Sequence, residues 1–433
     1  MSHSAFVTRL PILLRPDPTR TVIRPYMPTT DGDKYTPSAP PRAQRIADRV
    51  LALSEEALKQ ELGRVLKDFS GRHRDVTTLF ARRFKEVNGI EICKCEVSDM
   101  QALLIGAHFC HEYSYEAAAL FNPSIVPHPN QAGAPEGAVR FVLSLRGVGE
   151  GHVSSITFRT GLCLADGSIA VTPPNPKPLI LETENLSPTL GPDAGIRIMC
   201  DGSHDLSELI IFPTTPSQRS GIEDARFVHF SGPDGKQSYF ATYTAYSGQA
   251  IRQELLSTSD FKTFELRPLV GDATKSKGMA LFPRHVDGQF AMLGRMDNEN
   301  IWYLRSDDVF TWNGGVTAIT PRWPWEFVQI GNCGSPIEID EGWLVITHGV
   351  GAVRNYCIGA CLLDRNNPSK LLARTSQPLL RSDLDEREGY VPNVAYSCGA
   401  MLHGRKLVLP YAVADSFTTF VTFEIDDLLA SMA

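Results

Sequence analysis

The spacing of hydrophobic positions changes once along the chain. Between about Pro41 and Leu120 apolar residues recur every three or four places. Ile46, Val50 and Leu53 form one stripe, and Leu58, Leu62, Val65, Leu66 and Phe69 a second. Val76, Leu79, Phe80 and Phe84 form a third, and Met100, Leu103, Leu104, Ala107 and Cys110 a fourth. Residues three and four apart share one face of a helical turn, so this spacing predicts an α-helical extension over residues 41–120. Ser54 stands where the second stripe needs an N-cap. The stripes are packing faces and offer no cofactor box. Ahead of them, residues 1–40 carry Pro11, Pro16, Pro18, Pro25, Pro28, Pro37 and Pro40, a composition that predicts an extended arm.

From Phe121 onward the apolar runs become short and alternating, as in Val139 to Leu145, Ser154 to Phe158, Tyr239 to Tyr243, Phe290 to Leu293 and Gly342 to Thr347. Turn signals separate them: Pro233-Asp-Gly235, Asp287-Gly288, Asn313-Gly-Gly315, Asp340-Glu-Gly342 and His403-Gly404. Residues 121–433 are therefore expected to be all-β. A loose repeat recurs in Asp287-Gly-Gln-Phe290, Glu341-Gly-Trp-Leu344 and His403-Gly-Arg-Lys406. Repeats of roughly 40 to 50 residues suggest a β-propeller, for which five blades would fit; periodicity by itself leaves a sandwich or barrel open.

Composition narrows the function classes. With 433 residues, 42% of them hydrophobic and 21% charged, the chain can bury one large core or two ordinary ones. A net charge of −7 and a pI near 5.9 argue against nucleic acid or an anionic membrane as partner. The longest apolar stretches, Met100 to Ala107 and Leu407 to Val413, fall short of the roughly 20 residues a membrane span needs, so a soluble protein is expected. The first residues lack a cationic start, apolar centre and small-residue cleavage site, and the expected location is cytoplasmic. Nine cysteines, mostly within apolar strands, suit reduced core thiols, and Cys93-Lys-Cys95 has no second pair to complete a zinc site.

Several motifs pair a short apolar run with a charged or amide side chain. They are Gly221-Ile-Glu223-Asp224-Ala225-Arg226-Phe227, Lys277-Gly-Met-Ala-Leu-Phe-Pro283, Gly294-Arg295-Met-Asp297, Cys333-Gly-Ser-Pro336, Thr347-His348-Gly-Val350 and Gly389-Tyr-Val-Pro-Asn393. Strand ends deliver side chains to a shared pocket in this way. Each charge taken singly is equally at home in a surface ion pair.

In this order the motifs resemble glycoside hydrolase family 130, the β-mannoside phosphorylases and β-mannosidases built on a five-bladed propeller. The resemblance covers about residues 120–430 and leaves the helical extension outside. It implies that Asp224, matching the aspartate of a Glu-Asp-Pro-Arg motif, is the catalytic acid, with Ala225 in place of the proline. It implies inorganic phosphate as nucleophile and co-substrate, with no other cofactor and no metal. Lys277, Arg295, His348 and Tyr356 match phosphate ligands, and Arg354 adds a candidate. Asn122, Arg146 and Asp415 match groups that hold the mannose ring; Glu223, Arg226, Asp297 and Asn393 join them as substrate-binding candidates. Amide, guanidinium and carboxylate suit a polyol because each makes two hydrogen bonds at once.

Glu338 breaks the pattern, standing where many phosphorylases of the family have a lysine. A carboxylate there repels phosphate and could instead activate water, unless Arg354 pairs with it. The leading expectation is inverting phosphorolysis of β-mannosides, β-1,2-linked manno-oligosaccharides foremost, to mannose 1-phosphate. An inverting β-mannosidase using Asp224 and Glu338 stays open, as does a glycan-binding propeller without catalysis. Partners are then the oligosaccharide and phosphate, with a homo-oligomer possible.

Overall fold

The computed structural model describes residues 7–30, 39–89, 92–93, 95–179, 181–200, 205–382 and 386–433. It separates into two compact units, one of Pro18–Tyr115 with Pro176–Leu179, the other of Met1–Asp17, Glu116–Asn175 and Ile180–Ala433.

The smaller unit holds four helices: α1 (Arg42–Leu51), α2 (Glu55–Ser70), α3 (Val76–Asn88) and α4 (Asp99–His108). Ser54 caps α2 by accepting from Ala57 N at 3.2 Å. Ser98 and Gln101 form a reciprocal capping box on α4, satisfying two amides that would otherwise lack partners. Ala47, Val50, Leu58, Leu62, Leu104, Ile105 and Phe109 close one core. The helical pattern overreaches at its end, since Cys110–Ser114 is a strand paired with Thr21–Pro25. The proline-rich arm is thus divided: Thr21–Pro25 belongs to this unit, while Val7–Leu14 pairs with Phe417–Glu424 in the larger one. Residues 31–38 of the arm lie outside the described residues.

The larger unit is mostly β and contains five successive four-stranded antiparallel meanders. The first comprises Ala119–Pro127, Val139–Val148, Ser154–Cys163 and Ile169–Val171. The second comprises Gly221–Ser231, Gln237–Tyr246, Ile251–Thr258 and Thr263–Pro268. The third runs Ala280–Leu281, Phe290–Gly294, Ile301–Ser306 and Val316–Ile319. In the fourth, Gln329–Asn332 and Ile337–Ile339 both pair with Gly342–Val350, followed by Tyr356–Leu363 and Leu371–Arg374. In the fifth, Ala395–Tyr396 and Met401–His403 share Lys406–Val413, then comes Phe417–Glu424, and Val7–Leu14 is the fourth strand.

Each meander packs on the next. Phe158 of the first stacks with Phe264 and meets Phe227 and Phe261 edge-on in the second. Phe230 and Leu255 share a cluster with Leu281, Met292 and Leu304 of the third. Phe282 and Leu293 meet Trp343 and Val345 of the fourth; Ile346 and Ile358 meet Leu407 and Val421 of the fifth. Val408 and Phe420 return to Leu120, Phe141 and Leu143 of the first. Strands buried on both faces explain runs such as Gly342–Val350, in which every residue is buried.

Candidate active site

Each meander has a backbone irregularity within or just before its first strand, and polar side chains cluster about these irregularities. The pairing register shifts between Phe121 and Ser124, where Asn122 takes φ 49°, and between Glu223 and Arg226, where Asp224 takes φ 56°. Gly278 (φ 89°) precedes the third meander, Gly334 (φ 149°) parts the two pieces of the fourth, and Asn393 (φ 62°) precedes the fifth. Asn and Asp tolerate the left-handed region better than other side-chain-bearing residues, which explains the residue types found there. Such breaks turn a side chain out of the sheet pleat toward a shared centre.

Asp224 is the focus. Its Oδ1 accepts from Asn122 Nδ2 at 2.6 Å and lies 3.5 Å from Arg146 Nη1, and 18% of its side chain remains exposed. Burial pushes its pKa up, but Arg146, Arg226, Lys277 and the Asn122 hydrogen bond outweigh that and hold the carboxyl below its ordinary value. Glu223 beside it accepts from Arg146 Nη2 at 3.0 Å and from Lys277 Nζ at 2.7 Å, tying the first meander to the approach of the third. Asp415, at φ 49°, has its carboxyl pushed up to about 7, first by burial and then by the charge of Asp224, against Arg146 and Arg354.

Beside the carboxylates lies a cationic floor. Arg226, buried, donates to Tyr396 Oη at 2.7 Å and to the Asp224 carbonyl at 3.3 Å. Arg295 Nη1 approaches His348 Nε2 at 3.4 Å. The Gln329 amide turns its oxygen to Arg295 Nη1 and, at 3.2 Å, to His348 Nε2, and its nitrogen to the Asn298 carbonyl, the orientation in which no like groups face. In that assignment His348 Nε2 carries the proton, and Nδ1 faces the Cys333 thiol at 3.9 Å. His348 is 1% exposed, and burial, Arg295 and Arg226 drive its pKa well down, so the ring is neutral. It stacks on Tyr356 and leans on Tyr396, with ring centroids 5.8 and 4.9 Å apart. Among the described residues, the Nε atoms of Arg146, Arg226 and Arg295 are buried without a hydrogen-bond partner. Unspent donors on clustered guanidinium groups are what an anion would satisfy.

Asp224, Asn122, Arg146, Glu223, Arg226, Lys277, Arg295, His348, Tyr356 and Asp415 therefore fall into one connected group. Within it Lys277 donates to Glu223. Arg354 is exposed, at φ 53°, with its guanidinium 5.9 Å from the Tyr356 ring. Asn393 contributes its carbonyl to Tyr356 N at 3.0 Å. Asp297 goes elsewhere: its oxygens accept from Glu299 N, Asn300 N and Asn300 Nδ2 at 3.0, 2.8 and 2.7 Å, the arrangement of a turn former.

Glu338 is also elsewhere. Its carboxylate is gripped by Arg284 at 2.8 and 2.6 Å, with Arg365 at 4.0 Å, and Arg354 is not its partner. It lines a cavity of about 340 Å³ with Phe227, His229 and Ser231, from the second half of the strand that carries Asp224, and with Met401 of the fifth meander. Asp224 and His229 are five residues apart on one strand, roughly 13 Å once the bulge at Asp224 is allowed for. Tyr396 and Gln329 escaped the sequence reading, Tyr396 inside an apolar run and Gln329 at a strand start without a charged neighbour.

A family model for glycoside hydrolase 130, described as beta-1,4-mannooligosaccharide phosphorylase, matches residues 192–433. The chain belongs to glycoside hydrolase family 130. As a member of family 130 it is an enzyme, a glycoside phosphorylase or closely related glycoside hydrolase. It is 31% identical over 229 residues to a 1,2-beta-oligomannan phosphorylase of Thermoanaerobacter sp. strain X514, a match covering 52% of this chain and 75% of that relative. It is 30% identical over 239 residues to a beta-1,2-mannobiose phosphorylase of Listeria innocua, covering 53% of this chain and 65%, under two thirds, of that relative. The solved structure of a Listeria innocua beta-1,2-mannobiose phosphorylase with beta-1,2-mannobiose superposes with a TM-score of 0.50 at 23% identity. That superposition covers 72% of this chain and 92% of the other, and it speaks for the fold.

Proposed function

We propose that this family 130 enzyme catalyses inverting phosphorolysis of β-mannosides, foremost β-1,2-linked manno-oligosaccharides, giving α-mannose 1-phosphate. The observation that carries the reading is the cationic seat beside Asp224, the unspent donors of Arg226 and Arg295, while of the other carboxyls Glu223 is held by Arg146 and Lys277, Asp415 is pushed up to about 7 by burial and by Asp224, and Glu338 is committed to Arg284. An inverting hydrolase needs a second carboxylate to activate water on the opposite face of the sugar; a phosphorylase needs a cationic seat for phosphate.

In the proposed reaction phosphate rests against Arg295, Arg226 and Tyr356, with His348 and Gln329 fixing the Arg295 head. Asn122, Arg146 and Asp415 hold the terminal mannose. A phosphate oxygen forms a bond to C1 as the C1–O bond to the next sugar breaks, and the leaving oxygen takes a proton originating on Asp224. Before phosphate binds Asp224 is ionised, because Arg146, Arg226 and Lys277 face it. A phosphate dianion offsets those cations and restores its hold on a proton, which the entering hydrogen phosphate supplies overall. No cofactor besides phosphate is required. A five-bladed β-propeller for the larger unit belongs to the same reading, supported by five meanders that pack each on the next and the last on the first. So does a cytoplasmic setting, where phosphate is abundant.

The test is incubation with β-1,2-mannobiose with and without phosphate. Mannose 1-phosphate formed in phosphate, and little turnover without it, is expected. Glu338→Gln is expected to keep phosphate-dependent activity. Free mannose released without phosphate and abolished in Glu338→Gln would install the hydrolase instead.

A further inference from the structure

An aromatic pair at the rim of the site is left unused by this mechanism. Tyr390 Oη lies 2.8 Å from His152 Nδ1, with ring centroids 5.8 Å apart, yet Tyr390 keeps 46% of its surface exposed. The two residues come from different meanders. His152, at φ 59°, ends the turn between Val139–Val148 and Ser154–Cys163, the former strand carrying Arg146. Tyr390 precedes the first strand of the fifth meander.

The backbone of Tyr390 is pinned beside the sugar-holding residues. Its amide donates to Ser416 Oγ at 2.8 Å, and the next amide, Val391 N, donates to the Ala414 carbonyl at 3.0 Å. Ala414 and Ser416 flank Asp415, whose carboxyl faces Asp224, Arg146, Arg354 and Glu223. Glycine at 389 permits the approach, since a Cβ there would fall 2.4 Å from Ser416 Oγ and 2.6 Å from Ala414 Cβ. An aromatic ring held at both ends, backbone and hydroxyl, loses little entropy when a ligand lies on it.

The groups set against phosphate come from the second, third and fourth meanders: Arg226 lies on the second, Arg295 directly follows a strand of the third, and His348 and Tyr356 lie on the fourth. Inversion puts the entering and departing groups on opposite faces of the sugar, so the departing sugar points toward the side formed by the fifth and first meanders. A pyranose ring offers a flat array of C–H groups, and an amphipathic aromatic with one tied polar tip matches it. We infer that Tyr390, steadied by His152, is the stacking wall for the sugar on the leaving side of the scissile bond and sets the affinity for that sugar. The inference rests on the phosphorolysis reading and names a residue that determines acceptor preference within it.

Three variants test it: Tyr390→Ala, Tyr390→Phe and His152→Ala. Tyr390→Ala is expected to raise KM for β-1,2-mannobiose, and for mannose as acceptor in the synthetic direction, about ten-fold. KM for phosphate and for mannose 1-phosphate should stay within about two-fold, because neither reaches the wall. Tyr390→Phe keeps the ring and should recover most of the loss; His152→Ala, which frees the ring, should fall between. Unchanged acceptor KM in Tyr390→Ala, or equal losses for acceptor and phosphate, overturns the assignment. Should the wild type form no mannose 1-phosphate, calorimetric titration with β-1,2-mannotriose separates the two readings. Binding weakened by Tyr390→Ala then keeps the wall and discards phosphorolysis, and equal binding in both proteins discards the wall.

Discussion

Asp224 and Asp415 are neighbouring carboxyls pulled in opposite directions. Asp224 is held low because Arg146, Arg226 and Lys277 outweigh its burial; Asp415 is pushed up to about 7, first by burial and then by the charge of Asp224. Asp224→Asn keeps shape and the contact with Asn122 but cannot carry a proton. Its kcat is expected to fall on the order of 100- to 10,000-fold, with sugar binding retained by calorimetry; near wild-type turnover would remove Asp224 from the chemistry. Asp415 makes the opposite kind of prediction, one of stability. Its carboxyl titrates near about 3.9 when the chain is unfolded, so between there and about 7 the folded form holds a proton the unfolded chain has released. Stability therefore falls as pH rises through that window and stays reduced above it. Asp415→Asn is expected to melt with the wild type at about pH 4 and above it at about pH 8, at the expense of turnover. A variant that melts lower than wild type at the higher pH contradicts the electrostatic account.

The backbone irregularities at the first strands are the element-scale device, and Gly334 shows why they tolerate so little change. At φ 149° it approaches the fifth meander so closely that a Cβ would lie 2.6 Å from the Cys398 carbonyl oxygen and 2.8 Å from Gly399 Cα, both backbone. Gly334→Ala therefore combines a strained φ with overpacking, together worth about 2 to 4 kcal/mol. A melting temperature lower by several degrees, with weakened phosphate dependence through Cys333 and His348, is the expected result of thermal unfolding and kinetics. An alanine variant that melts with the wild type would mean the meanders part freely there. The same device marks what could be read from sequence. Local signals carried the helices, because the Ser54 cap and the apolar stripes act within one turn, and alternation carried the strands. Asp224, Arg226 and Glu223 were legible because one motif holds them. The partner of Glu338 was not: Arg284 lies 54 residues away in sequence. The first strand of the fourth meander also resumes past the Gly334 break: Asn332 pairs with Thr347 and Glu338 with Trp343, four residues and roughly 13 Å further along the same partner strand. Asp297 misled for a local reason, since the same carboxylate that could hold a sugar also closes the turn to Asn300.

At the scale of the whole molecule, the five meanders are consecutive in sequence except for one strand. Val7–Leu14 joins the fifth meander from the other end of the chain, pairing with Phe417–Glu424 over Val7, Thr8, Arg9 and Leu10 and again at Leu14. Leu10, Ile12 and Leu14 pack against the cluster of Leu120, Phe141, Val408 and Phe420 that the first and fifth meanders share. Arg9 adds an ion pair to Glu386 at 2.8 Å, and Arg15 lies 4.9 Å over the Phe417 ring. Partial burial of three large aliphatic side chains contributes about 2 to 5 kcal/mol, whereas the partly exposed ion pair adds about 1 kcal/mol at most. Apolar contact is thus the larger effect. Without the strand, Phe417–Glu424 becomes an open edge with unpaired backbone groups, a template for other chains. Removing residues 1–15 is expected to lower the melting temperature by about 5 to 10 °C and to promote concentration-dependent association by light scattering. Leu10→Asp with Ile12→Asp, which leaves the chain full length, is expected to reproduce the shift, while Arg9→Ala should move it by about 1 °C or less. If both the truncation and the double variant melt with the wild type, the strand adds nothing to the contacts of Val408 and Phe420 with Leu120 and Phe141.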